Sequence, residues 1–158
     1  MRCQEPRDSF VSHQSLRTCA RPRTRGMTLT VGLFGEASTT VDASRLASAV
    51  GSGGLEVCST PSMIALMESA ALRAVQPFLP EEQTTVGVRI DVRHIAATPV
   101  GMQLHARAEL TEVDGRRLVF HVEAFDAHEK VGEGTHERMI VDPARLLARA
   151  QAKRPQTD

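Results

Sequence analysis

The chain has 158 residues, with 19 Lys plus Arg against 19 Asp plus Glu, and 41% of it is apolar. That length suits one domain with a core large enough to need no disulfide or metal staple. Zero net charge, no Trp, no Tyr and five Phe leave neither a basic footprint nor stacking platforms for nucleic acid.

Residues 1–26 stand apart from the rest. They carry Arg2, Arg7, Arg17, Arg21, Arg23 and Arg25 with no apolar periodicity. Without a central apolar stretch a secretory signal is not expected. They read as a disordered arm or an over-extended start ahead of Met27, in preference to an Arg-rich transit peptide, against which Pro6, Pro22, Glu5 and Asp8 count; 27–158 is then a single domain. Cys3, Cys19 and Cys58 have the spacing of neither a zinc site nor a disulfide framework. A reducing, cytoplasmic setting is the simplest expectation. No apolar run reaches the ~18 residues of a membrane span.

From Met27 the pattern becomes regular. Thr28–Val41 reads as a strand. Asp42–Val50 reads as a short helix capped by Asp42, and Gly51–Gly54 as a loop without the Lys-Ser/Thr of a phosphate cradle. Leu55–Ser59 is a short extended piece. Ser62–Phe78 is the long helix, with Thr60 expected as its N-cap and Pro61 at its first position. Its few polar residues imply burial on most of its circumference.

Four strands follow. Thr85–Ala96 alternates, with Val86, Val88, Ile90 and Val92 expected inward and Arg89, Asp91 and Arg93 outward. Met102–Val113 and Arg116–Asp126 form a hairpin about Asp114-Gly115. Their inward residues are Leu104, Ala106, Ala108 and Leu110, then Leu118, Phe120, Val122 and Ala124. Lys130–Val141 is the fourth strand, and Pro143–Lys153 a terminal helix. The order gives an α+β domain whose antiparallel sheet wraps one long central helix. An open sheet edge invites a second copy, so a homodimer is expected.

Three residues break the pattern. Glu68 falls among Ile64, Ala65, Ala71, Leu72 and Val75, whereas the other polar residues of the helix lie about 80 to 140 degrees away on the wheel. A lone carboxylate there is costly unless it is paired or reactive. The plainer reading is an ion pair with an Arg of the sheet. His94 shares the parity of Val88, Ile90 and Val92 and so points toward the helix. Alone it would read as a hydrogen-bonded core histidine; facing Glu68, it makes an acid/base pair. Thr60 puts a hydroxyl at the positive end of the helix, where N–H groups suit a developing oxyanion, although capping alone explains it. Cys58 is a weaker nucleophile candidate, and no metal-binding spacing occurs.

The segments Thr60-Pro61-Ser62-Met63, Leu66-Met67-Glu68-Ser69-Ala70 and His94-Ile95-Ala96-Ala97-Thr98-Pro99 resemble the fluoroacetyl-CoA thioesterase family of hotdog proteins. Gly132-Glu133-Gly134-Thr135-His136-Glu137-Arg138 resembles that family's last strand. The resemblance implies a homodimeric hotdog fold that hydrolyses a small acyl-CoA with no cofactor. It assigns Thr60, Glu68 and His94 to catalysis, and Gly87 and Arg138 to the substrate site. For the last two, a strand bulge and a surface salt bridge are the plain alternatives. Fluoroacetyl-specific members carry Phe residues in a lid before the Thr. Here Val41–Ser59 has no aromatic residue, so thioesterase chemistry is expected without that specialisation. The rival functions are a hotdog enoyl-CoA hydratase or dehydratase, and a non-catalytic acyl-CoA binder.

Overall fold

The computed structural model describes residues 28–155, so the arm with Cys3 and Cys19 lies outside the described residues. Five antiparallel strands form one sheet in the order β1-β3-β4-β5-β2. They are β1 (Phe34–Thr40), β2 (Thr84–His94), β3 (Gln103–Asp114), β4 (Arg117–Phe125) and β5 (Lys130–Val141). The short α1 (Ala47–Val50) and the long α2 (Thr60–Val75) lie between β1 and β2, and α3 (Pro143–Gln151) ends the fold.

The first strand is shorter than its apolar pattern suggested. Gly32 adopts a left-handed φ of 94° in a turn, and pairing with β3 begins only at Phe34. The first helical piece is also divided. A 3-10 turn over Ala43–Arg45, capped by the Asp42 carboxylate, precedes α1, which Gly51 closes at a φ of 72°.

The long helix is capped by Ser59 rather than Thr60. Ser59 Oγ accepts from the Ser62 N–H, which puts Thr60 at the first helical position and Pro61 at the second. Proline lacks an N–H, and at either position that N–H would have no partner within the helix, so the sequence fits both placements. At the far end Pro77 interrupts the ladder, and Gln76–Phe78 tightens into a 3-10 turn.

Helix α2 packs mainly on β1 and β3. Met63, Met67, Ala70, Ala71, Ala74 and Val75 are buried against the eight β3 and β4 residues expected inward, all of which are buried. Alanine allows a close approach. A Cβ on Gly35 would collide with the Ala70 carbonyl and the Ala74 backbone, so β1 lies almost on the helix. Among the described residues Phe120 is the one phenylalanine buried in this core. Truncating it to Ala would cost about 3–5 kcal/mol.

Two expectations about burial change. The sheet covers one face of α2, so Ala65 stays exposed and Ile64, Glu68 and Leu72 are only half-buried. A bulge between Gly87 and Arg89 also resets the parity of β2. Beyond it Ile90, Val92 and His94 keep one face. Before it Thr85 and Gly87 turn toward the helix, in place of Val86, and Val88 is 55% exposed. One extra residue in a strand reverses every side chain on one side of it.

Candidate active site

The start of α2 and the end of β2 meet at Thr60 and His94. Thr60 Oγ1 lies 2.9 Å from His94 Nδ1. Both line a cavity of about 400 Å3 whose other walls include Ala47, Leu55, Val57 and Ala96. Bridges from Leu46 to Cys58 and from Val57 to Pro99 hold the segment before α2 against this mouth.

Ser59 and Pro61 shape the donors at the helix start. The Ser62 N–H goes to Ser59 Oγ and the Met63 N–H to the Ser59 carbonyl. Pro61 has none. The Thr60 N–H is therefore the first-turn donor left without a partner among the described residues, at the positive end of the helix. Burial pulls His94 below the ordinary histidine range, which favours the neutral ring beside the Thr60 hydroxyl. Burial pushes the Cys58 thiol up, which disfavours the thiolate a cysteine nucleophile needs.

Glu68 lies elsewhere in the protomer. It is eight residues beyond Thr60, or roughly 12 Å along the helix. It does not line the cavity that Thr60 and His94 share. Its Oε1 is 3.5 Å from His136 Nε2 and 3.7 Å from Arg138 Nη1, and its side chain is 41% exposed. A Cβ on Gly87 would collide with the same oxygen, so glycine is what admits the carboxylate beside β2. Arg138 is buried: Nε donates to Thr85 Oγ1 at 2.8 Å and Nη2 to the Thr85 carbonyl at 2.7 Å.

One protomer thus holds two groups, Thr60 with His94, and Glu68 with Gly87 and Arg138. The ion pair with a sheet arginine, weighed against catalysis from sequence, is present. Thr85 and His136 were not singled out by the sequence. The bulge concealed Thr85. His136 shares strand parity with Arg138 and was legible on that ground. Among the described residues no cluster of three or more His, Cys, Asp or Glu side chains is placed to hold a metal.

Comparison with known proteins identifies the family and the fold. The pattern of the family described as FlK, fluoroacetyl-CoA-specific thioesterase, matches residues 41–144. The fluoroacetyl-CoA thioesterase of Streptantibioticus cattleyicolor is 41% identical over 100 residues, covering 63% of this chain and 72% of that protein. A solved structure of the fluoroacetyl-CoA thioesterase FlK superposes with a TM-score of 0.77 at 32% identity, covering 82% of this chain and all of that one. A hot-dog-like protein from Thermanaerovibrio acidaminovorans superposes with a TM-score of 0.72 at 26% identity, covering 82% of this chain and 96% of that one. The chain belongs to the fluoroacetyl-CoA-specific thioesterase family and is a thioester hydrolase on a hotdog fold.

Proposed function

We propose that residues 27–158 act as one domain that hydrolyses small acyl-CoA thioesters to the free acid and CoA, using Thr60, His94 and Glu68. The observation that carries this reading is the 2.9 Å contact between Thr60 Oγ1 and His94 Nδ1 at the mouth of a cavity with apolar walls. The acyl group enters that cavity, and its carbonyl oxygen takes the Thr60 N–H and the helix dipole. Water attacks the carbonyl carbon and loses a proton to the carboxylate of Glu68. The tetrahedral oxyanion collapses, the C–S bond breaks, and the thiolate receives a proton by way of His94. Glu68 as a nucleophile forming a transient anhydride uses the same groups.

The reading requires a homodimer. β2 is an open edge, and exposed Ala65 with half-buried Ile64 and Leu72 lies beside Glu68. Two β2 edges paired antiparallel about a dyad near Ile90 and Asp91 would set His94 opposite the partner subunit's Gly87. The partner subunit's Glu68 would then approach Thr60 and His94, and each site would draw on both chains. The setting proposed is the cytoplasm, where CoA thioesters form and a free Cys58 thiol persists.

The test is thiol release from acyl-CoAs of increasing chain length, with enoyl-CoA hydration followed in parallel. Thiol release that Glu68→Gln and His94→Ala each reduce at least about a hundredfold is expected. Faster hydration than thiol release would favour a hydratase, and binding without turnover a non-catalytic binder.

A further inference from the structure

The cluster around Glu68 contains a histidine that the mechanism above leaves unused. His136 is 1% exposed and lies on β5, two residues before Arg138. Its Nδ1 is 3.0 Å from the Arg89 carbonyl oxygen, which can only accept. Its Nε2 is 3.0 Å from Arg138 Nη1, which can only donate. Those two partners fix a neutral ring with its proton on Nδ1 and a lone pair on Nε2. A proton on Nε2 would face an arginine N–H.

The guanidinium is a planar fork, so its anchors set its plane. Two are supplied by Thr85, through Nε and Nη2. The third is His136 Nε2, and it bears on Nη1, the guanidinium nitrogen that faces Glu68. The Glu68 carboxylate makes no hydrogen bond among the described residues. The direction of its carboxylate therefore depends on Nη1 at 3.7 Å, on His136 Nε2 at 3.5 Å and on the space that Gly87 leaves.

We propose that His136 is a positioning residue that acts through Arg138, keeping Oε1 of Glu68 against Nη1 and leaving Oε2 free to react. The Arg89 carbonyl sets the tautomer, at the residue where the β2 bulge ends. The bulge and the catalytic carboxylate are thereby linked through one imidazole. This inference rests on the reading of Glu68 as the reacting carboxylate.

The test combines ring nitrogen NMR of the full chain with steady-state kinetics. The wild-type His136 ring should carry its proton on Nδ1 at neutral pH; a proton on Nε2 would overturn the proposal. His136→Gln brings an amide oxygen close to the Nε2 position and should keep kcat within about threefold. His136→Asn reaches only the Nδ1 position and should lower kcat about 10- to 100-fold with KM within about threefold, the scale for a group that orients a reacting one. If His136→Asn does not fold, Thr85→Val removes another anchor of the same guanidinium and should give the same split. Near-wild-type kcat in folded His136→Asn or Thr85→Val, or equal losses in the Gln and Asn variants, would overturn it. Glu68→Gln is measured alongside. If Glu68→Gln retains full turnover, the reading of the site fails. If Glu68→Gln is inactive while His136→Asn is active, only this inference fails.

Discussion

Thr60 Oγ1 and His94 Nδ1 share a hydrogen bond of 2.9 Å, although Thr60 opens a helix and His94 ends a strand 34 residues later. Because Ser59 takes over the capping of α2, the Thr60 hydroxyl is free for this contact. Capping and the contact with His94 are therefore carried by adjacent residues.

Substitution separates the two roles. Ser59→Ala should cost about 1 kcal/mol of stability through the lost cap. Thr60→Ala should stay within about 0.5 kcal/mol of wild type while turnover falls. Urea unfolding beside thiol-release kinetics measures both. A larger stability loss in Thr60→Ala than in Ser59→Ala would return the cap to Thr60.

Gly87 is the second sensitive point. A methyl group there meets Glu68 Oε1 and lies 3.0 Å from His136 Cε1. Gly87→Ala should displace the carboxylate and lower kcat by at least about tenfold, with the fold retained by circular dichroism. An unchanged kcat would mean that Glu68 reacts from another position.

Two histidines bind their protons less readily in the folded chain than the ordinary value of 6.5 implies, in both cases chiefly through burial. As pH falls below 6.5 the unfolded chain takes up protons that His94 and His136 refuse. Stability is therefore full above 6.5 and is lost as pH drops through the window beneath it. Unfolding free energies between about pH 7 and pH 5 should decline in wild type and decline less steeply in His136→Gln. Identical slopes would remove His136 from the account.

On the proposed reading, the cover over the Thr60 cavity governs selectivity. Separating fluoroacetyl from acetyl means resolving one hydrogen-to-fluorine change, and apolar pockets resolve a methylene by only ~10–200-fold. Residues 43–57 supply Ala47, Ser52, Gly53 and Leu55 to the walls, with no aromatic ring. Such a cover does not clamp a two-carbon group, so activity on a range of short and medium acyl-CoAs is expected, with little preference for the fluorinated substrate. The ratio of kcat/KM for fluoroacetyl-CoA and acetyl-CoA measures it. A ratio above about a thousand would place selectivity in the buried site itself.

Much of this was legible in the sequence because period and burial agree. The strict alternation of β3 and β4 named the eight residues that line the core, and the apolar run after Pro61 gave the helix. The limits have physical reasons. Ser59 and Thr60 are equally able to cap, and Pro61 fits either register. The bulge at Gly87 reverses parity without a local signature beyond the glycine itself, which hid Thr85 and placed Val86 and Val88 on the wrong face. The partial exposure of Glu68 reflects which elements cover α2, and one-dimensional periodicity does not carry that.

The central claim is that Glu68 of one chain serves Thr60 and His94 of the other, and mixing two inactive variants tests it most directly. Glu68→Gln and His94→Ala homodimers are each expected to be inactive. Unfolded together and refolded at equal concentration, half of the dimers carry one of each chain, and each of these has one intact shared site. Recovery of about a quarter of wild-type thiol release is the predicted result. No recovery in a mixture shown to contain the mixed dimer would mean that Glu68 works with His94 of its own chain, and would contradict the shared site.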